Sequence, residues 1–95
     1  MTPLAPPIVH DEGLKTLSAR VVRAAPDDVQ ASQMRAMVLS GYRVGGSWEV
    51  GPRSAAELKE AAMHYDRAAT LCHAPAGKAQ LTGRADWCHR QAEVM

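Results

Sequence analysis

Two dipeptides, Cys72-His73 and Cys88-His89, carry the soft ligand atoms of this chain. Zinc asks for about four converging ligands, and each half of a finger-like site supplies residues two to four apart. Here the members of each pair are adjacent. On a helix, neighbouring side chains point ~100° apart because a turn holds 3.6 residues, so one ion does not easily meet both. The spacing instead places Cys72 and Cys88 on apolar stripes as small core residues, with His73 a polar residue near a helix C-terminus. No metal ligand is assigned. A disulfide between antiparallel helices is geometrically open, but two cysteines fall far short of a disulfide framework, and reduced thiols are expected.

His64 has only Glu60 within helical reach, at i−4. A general base needs a nucleophile or an orienting partner beside it, so His64 is read as a solvent-facing histidine. Val44-Gly45-Gly46-Ser47 lacks the lysine and the spacing of a phosphate-binding loop. No Ser–His–Asp order carries a nucleophile elbow. No catalytic residue and no cofactor are assigned, and the chain is not read as an enzyme. The alternative classes are a metal- or thiol-dependent protein built on the Cys/His pairs, and a small enzyme subunit. Aromatic residues and arginine dominate interface hot spots, and Tyr42 and Trp48 are flanked by Arg43 and Arg53.

Composition bounds what can position these groups. The chain has 95 residues, enough for one domain and too few for separate cofactor and substrate domains. Seventeen are Ala and none is Phe, which suits closely approaching helices and not a sandwich of β-branched and aromatic strands. Eleven Lys and Arg oppose ten Asp and Glu, for a net charge of +1. With charges mixed along the chain, nucleic acid and anionic membrane surfaces are poor partners. The apolar runs, such as Ala36-Met37-Val38-Leu39, are far shorter than the ~20 residues that span a bilayer. The N-terminus lacks the basic and apolar regions of a signal peptide, and a cytoplasmic location is expected.

Pro3, Pro6 and Pro7 mark residues 1–10 as a flexible leader, with 11–95 as a single α-helical domain. A first helix is predicted from Asp11, as its cap, to about Ala25, with Leu14, Leu17, Val21 and Ala24 as its apolar stripe. Pro26 ends it. Asp27 or Asp28 caps a second helix over about 28–40, which is apolar on two sides and so predicted to lie between neighbours. Gly41 suits its C-terminal left-handed position. Residues 41–53 break the helical pattern, either as a short hairpin turning at Gly45-Gly46-Ser47 or as an irregular loop pinned by Trp48. Ser54-Ala55-Ala56-Glu57 is a capping box opening a helix over about 54–73. Its apolar face runs through Ala55, Leu58, Ala61, Ala62, Tyr65, Ala68, Ala69 and Cys72; Met63 and Leu71 lie on the far side, where a second neighbour is expected. Ala74-Pro75-Ala76-Gly77 reads as a break before a last helix over about 78–94, with Gly83 a candidate for close packing. The class is all-α: four helices in an antiparallel hairpin stack.

Residues 59–71 (KEAAMHYDRAATL) resemble the second helix of a tetratricopeptide repeat. That helix carries an acidic residue, an Ala, an aromatic four residues later and a second Ala three further on; here these are Glu60, Ala61, Tyr65 and Ala68. Ala25-Pro26-Asp27-Asp28 resembles the segment between repeats. The resemblance spans about 26–75 and departs in three places. Ser32 stands where the family has Trp, no Leu-Gly pair marks the helix crossing, and the loop at 41–53 exceeds the family's tight turn. It implies a scaffold in which the first helix of the repeat lines a groove for a peptide or partner helix. Gln30, Gln33 and Met37 are then the contacts, with Tyr42 and Trp48 at the rim. Because arrays generally need about three units and one repeat with two halves is present, a homodimer or a larger array is expected.

Overall fold

Capping chemistry starts and stops the helices near where the residues place it. In the computed structural model, which describes residues 11–41 and 53–95, α1 spans Asp11–Ala24, α2 Val29–Ser40, α3 Ala55–Leu71 and α4 Pro75–Glu93. Asp28 Oδ1 accepts from the Gln30 N–H at 3.0 Å. Gly41 closes α2 at φ 71°, a left-handed conformation that glycine adopts without strain. The Ser54 hydroxyl accepts from the Glu57 N–H at 3.1 Å, and the Glu57 carboxylate accepts from the Ser54 N–H at 3.0 Å. That reciprocal pair satisfies two of the four N–H groups a helix start leaves open.

Long side chains and turns fix the directions. Arg53, just before α3, reaches both Asp11 at the start of α1 and the Val38 carbonyl near the end of α2. Arg67, late in α3, donates to the Pro26 carbonyl ahead of α2. So α2 runs antiparallel to both α1 and α3. α4 returns along α3, with Gly77 against Cys72 at one end and His89 near Asp66 further along. The fold is all-α, as expected, and it is a hairpin stack in which α1 packs on α2, α2 on α3 and α3 on α4. The hairpin or loop expected at 41–53 and the leader at 1–10 fall outside the described residues, Gly41 and Arg53 excepted.

The core follows from alanine. Ala36, Ala61, Ala62, Ala68, Ala85 and Cys88 are each 0% exposed, so backbones approach closely, and Tyr65, 1% exposed, fills the remaining space among α2, α3 and α4. As predicted, α2 is covered on two sides. Ala31 and Val38 share one stripe; Ser32, Ala36, Leu39 and Ser40 lie on the other, and all six are buried.

Five expectations change. α4 begins at Pro75 rather than near 78, because proline costs nothing at the first helical position, where its missing N–H has no partner to lose. Gly83 makes no close contact: a Cβ there meets nothing within 4 Å, whereas one at Gly77 would lie 3.1 Å from Cys72 Sγ. Asp11 is the first residue of α1 rather than the residue before it, and its carboxylate takes both Nη atoms of Arg53. The stripe expected to bury α1 is largely on the surface, with Leu17 46% exposed and Ala24 exposed. Ser18 is the one fully buried residue of α1, and α1 is held chiefly by charges and hydrogen bonds. On the far side of α3, Met63 is 54% exposed and Leu71 half-buried. The neighbour meets α3 instead along Glu57, Glu60 and His64.

Candidate functional site

α2, α3 and α4 together leave a cleft of about 440 Å³. The last turn of α2 brings Ser40 to it, and α3 supplies Tyr65. α4 contributes Gly83, Arg84, Trp87 and Cys88, one face at helical spacing. The missing side chain at Gly83 keeps the space open. Trp87 stands 45% exposed at the edge. Burial pushes the Tyr65 phenol above its ordinary range, against the hydrogen bonds it makes with Ser40 and Arg84. Burial likewise raises the Cys88 thiol to about 11. A protonated thiol and a protonated phenol are poor nucleophiles at neutral pH. What the cleft offers is an apolar recess of side-chain size with a polar edge.

The predicted contact residues fall as follows. Gln30 is exposed, Gln33 half-buried, and Met37 partly buried against the core. All three lie on one side of α2, at i, i+3 and i+7, and Ser40, three further along that helix, belongs to the cleft. Tyr42 and Trp48 lie outside the described residues. The members of each Cys/His pair separate, Cys88 and His89 by the helical angle within α4 and Cys72 and His73 in the extended segment after α3. Cys72 ends α3 and its thiol lies 3.6 Å from the Ala74 carbonyl, while His73 is exposed. Cys88 is buried, and His89 points out toward Asp66 at 3.7 Å. Among the described residues no group of three or more His, Cys, Asp or Glu converges as a metal site, and no helix is long and apolar enough to cross a membrane.

A second polar arrangement lies under α1. Arg53 Nη1 and Nη2 donate to the two oxygens of Asp11 at 2.7 and 2.6 Å. Lys15 Nζ sits 2.6 Å from Glu57. Arg35 Nη1 donates to the Lys15 carbonyl at 2.7 Å and to Ser18 Oγ at 3.1 Å, and its Nη2 donates to Glu60 at 3.1 Å. Glu60 also faces His64 Nε2 at 3.3 Å. The bond to Glu57 holds the Lys15 ammonium above its ordinary range, outweighing burial. Burial pushes the Glu57 carboxyl up, but Lys15 and the Ser54 N–H overcome it and leave the group below its usual value. His64 is 8% exposed, which corrects its reading as solvent-facing: Glu60 faces its ring, and Val22 and Arg23 of α1 line the same notch. Burial lowers its basicity, and Glu60 offsets only part of that.

This seam of charges was not anticipated, although the spacing carries it. Asp11, Lys15 and Ser18 recur at 4 and 3 residues, and Glu57, Glu60 and His64 at 3 and 4. Each is a polar stripe of one helix, and opposite charges on two such stripes are the available signal. No protein-family model, no curated protein and no solved structure matches this chain.

Proposed function

We propose that this chain is a docking module, in which a partner peptide or helix lies along α2 and α4 and sets an apolar side chain into the cleft over Tyr65. The observation that carries the reading is the cleft itself: a recess kept open by Gly83 and edged by half-exposed Trp87. Tryptophan beside an apolar recess is the arrangement from which interface hot spots are made. The tetratricopeptide resemblance supports the same face. In that family the first helix of each repeat lines the groove, and α2 and α4 take those two positions here. Gln30, Gln33 and Met37 continue the surface along α2. The work done is recognition by a preformed surface, with no bond made or broken. A second copy of the chain is one such partner, and the expected cytoplasmic location belongs to the same proposal.

The test places a photo-crosslinking benzoylphenylalanine at Gln33 or at Gln80 of the full chain in its own cells. Both positions are expected to capture the same protein segment, and Trp87→Glu is expected to abolish capture at both while the helical circular dichroism is kept. Capture that is indifferent to Trp87→Glu, or that joins unrelated segments at the two positions, overturns the proposal.

A further inference from the structure

α1 and α3 run in the same direction, since both are antiparallel to α2. The Lys15–Glu57 pair fastens them near their N-terminal turns, and Arg35 of α2 reaches both, donating to the Lys15 carbonyl and Ser18 Oγ on α1 and to Glu60 on α3. Past His64 the seam ends, and a notch of about 480 Å³ opens toward the end of α1, lined by Val22, Arg23, Pro26, Met63, His64 and Arg67.

The chemistry of this notch divides cleanly. Val22, Pro26 and the exposed Met63 form an apolar surface. Two arginines share the lining, Arg23 in the last turn of α1 and Arg67 from α3. Arg67 is held in place, with Nε donating to the Pro26 carbonyl at 2.9 Å and Nη2 to Asp27 at 3.3 Å; neither bond uses Nη1. The other nearby carboxylate, Glu60, faces away into the seam, where Arg35 and His64 take it. The buried ring of His64 closes the inner end; its Nε2 faces Glu60 and its Nδ1 lies beneath the surface, so it contributes bulk and not charge. Two cations over an apolar surface match an anion with a hydrocarbon body. A guanidinium fork takes a carboxylate in particular, because the two are planar and of matching spacing.

We propose that this notch binds an apolar carboxylate, with the carboxylate on Arg23 and Arg67 and the hydrocarbon over Val22, Pro26 and Met63. A free fatty acid and the terminal apolar residue of a peptide share that chemistry. The occupant bridges α1 to α3 beyond the Lys15–Glu57 pair, so it also fastens the last turns of α1. The site lies apart from the cleft at Trp87 and stands or falls independently of it.

Octanoate, 1-octanol and octylamine are titrated into the full chain while the Met63 methyl resonance is followed by NMR. Octanoate is expected to shift it saturably, with octanol and octylamine each about tenfold weaker or more, because charge-assisted hydrogen bonds contribute that much. Arg23→Gln, at an exposed position that does not threaten folding, is expected to weaken octanoate several-fold and leave octanol unchanged; Arg67→Gln does the same and also frees Pro26. N-acetyl-leucine compared with octanoate separates the two sources: the tighter of the pair names the occupant, and either ranking supports the site. Equal affinity for octanoate and octanol, octanoate binding indifferent to Arg23→Gln, or no saturable shift with any of the acids overturns it.

Discussion

Arg53→Met tests how α1 is held. The wild-type guanidinium donates twice to Asp11 and once to the Val38 carbonyl, at 2.6 to 2.8 Å. The side chains of Arg53 and Asp11 are only 8% and 13% exposed, so water is poorly placed to replace the lost bonds. Removing one member of a buried pair costs about 3–5 kcal/mol. Lys15 Nζ, 3.7 Å from Asp11, remains to compensate part of the stranded charge, which brings the expected cost to about 2–3 kcal/mol. Because α1 fully buries only Ser18, that loss should fall on its docking and not on the α2–α4 core. Native-state hydrogen exchange reads this directly: α1 amides are expected to exchange about thirty- to a hundred-and-sixtyfold faster, at 1.36 kcal/mol per decade, while those of α3 and α4 keep their rates. Asp11→Asn should cost nearly as much, and the double variant little more than either single one, since each change removes the same interaction. Additive costs, or unchanged α1 exchange in Arg53→Met, would refute the reasoning.

Three further outcomes follow from the same geometry. His64 is less basic in the folded chain than unfolded, so its contribution to stability is complete above about pH 6.5 and declines as pH falls toward its lowered folded value; the drop in melting temperature from pH 7.5 to 5.5 should be smaller in His64→Gln, and an equal drop would count against the buried imidazole. Cys88, fully buried with its thiol raised to about 11, should resist a disulfide reagent at pH 8 that titrates Cys72 readily, with the second thiol appearing only in denaturant; two thiols reacting at one rate would contradict its place in the core. Ser32 Oγ is buried without a hydrogen-bond partner, so Ser32→Ala should stabilise the chain by about 1 kcal/mol in urea titration, through relief of the orphaned hydroxyl and better helix propensity; a loss of that size would show that the hydroxyl has a partner.

Local chemistry made most of the fold legible. Capping at Asp28 and Ser54, the glycine at 41 and the alanine face around Tyr65 act within one turn or one stripe of sequence, so their spacing sufficed. Pro75 misled because proline both ends helices and begins them, and the choice depends on whether the preceding carbonyls already have partners. The placement of α1 was illegible for another reason. Its apolar stripe at Leu14, Leu17 and Val21 is the natural candidate for burial, yet the ion pairs of Asp11 and Lys15 turn a different side inward, and those pairs join residues some forty positions apart. His64 was misread with it, since only a helix laid over α3 makes that position buried. The contact residues on α2 were placed by periodicity alone, whereas the cleft beside them needed α4 brought back over Tyr65, a long-range event that no local pattern announces.

The most direct measurement of the docking role is the solvent access of Trp87 in the bound state. In a Trp48→Phe chain mixed with the purified segment identified by crosslinking, Trp87 emission should move to the blue and its acrylamide quenching should fall to that of a buried indole. Binding that leaves both unchanged would place the partner elsewhere on the surface and contradict the assignment of the cleft.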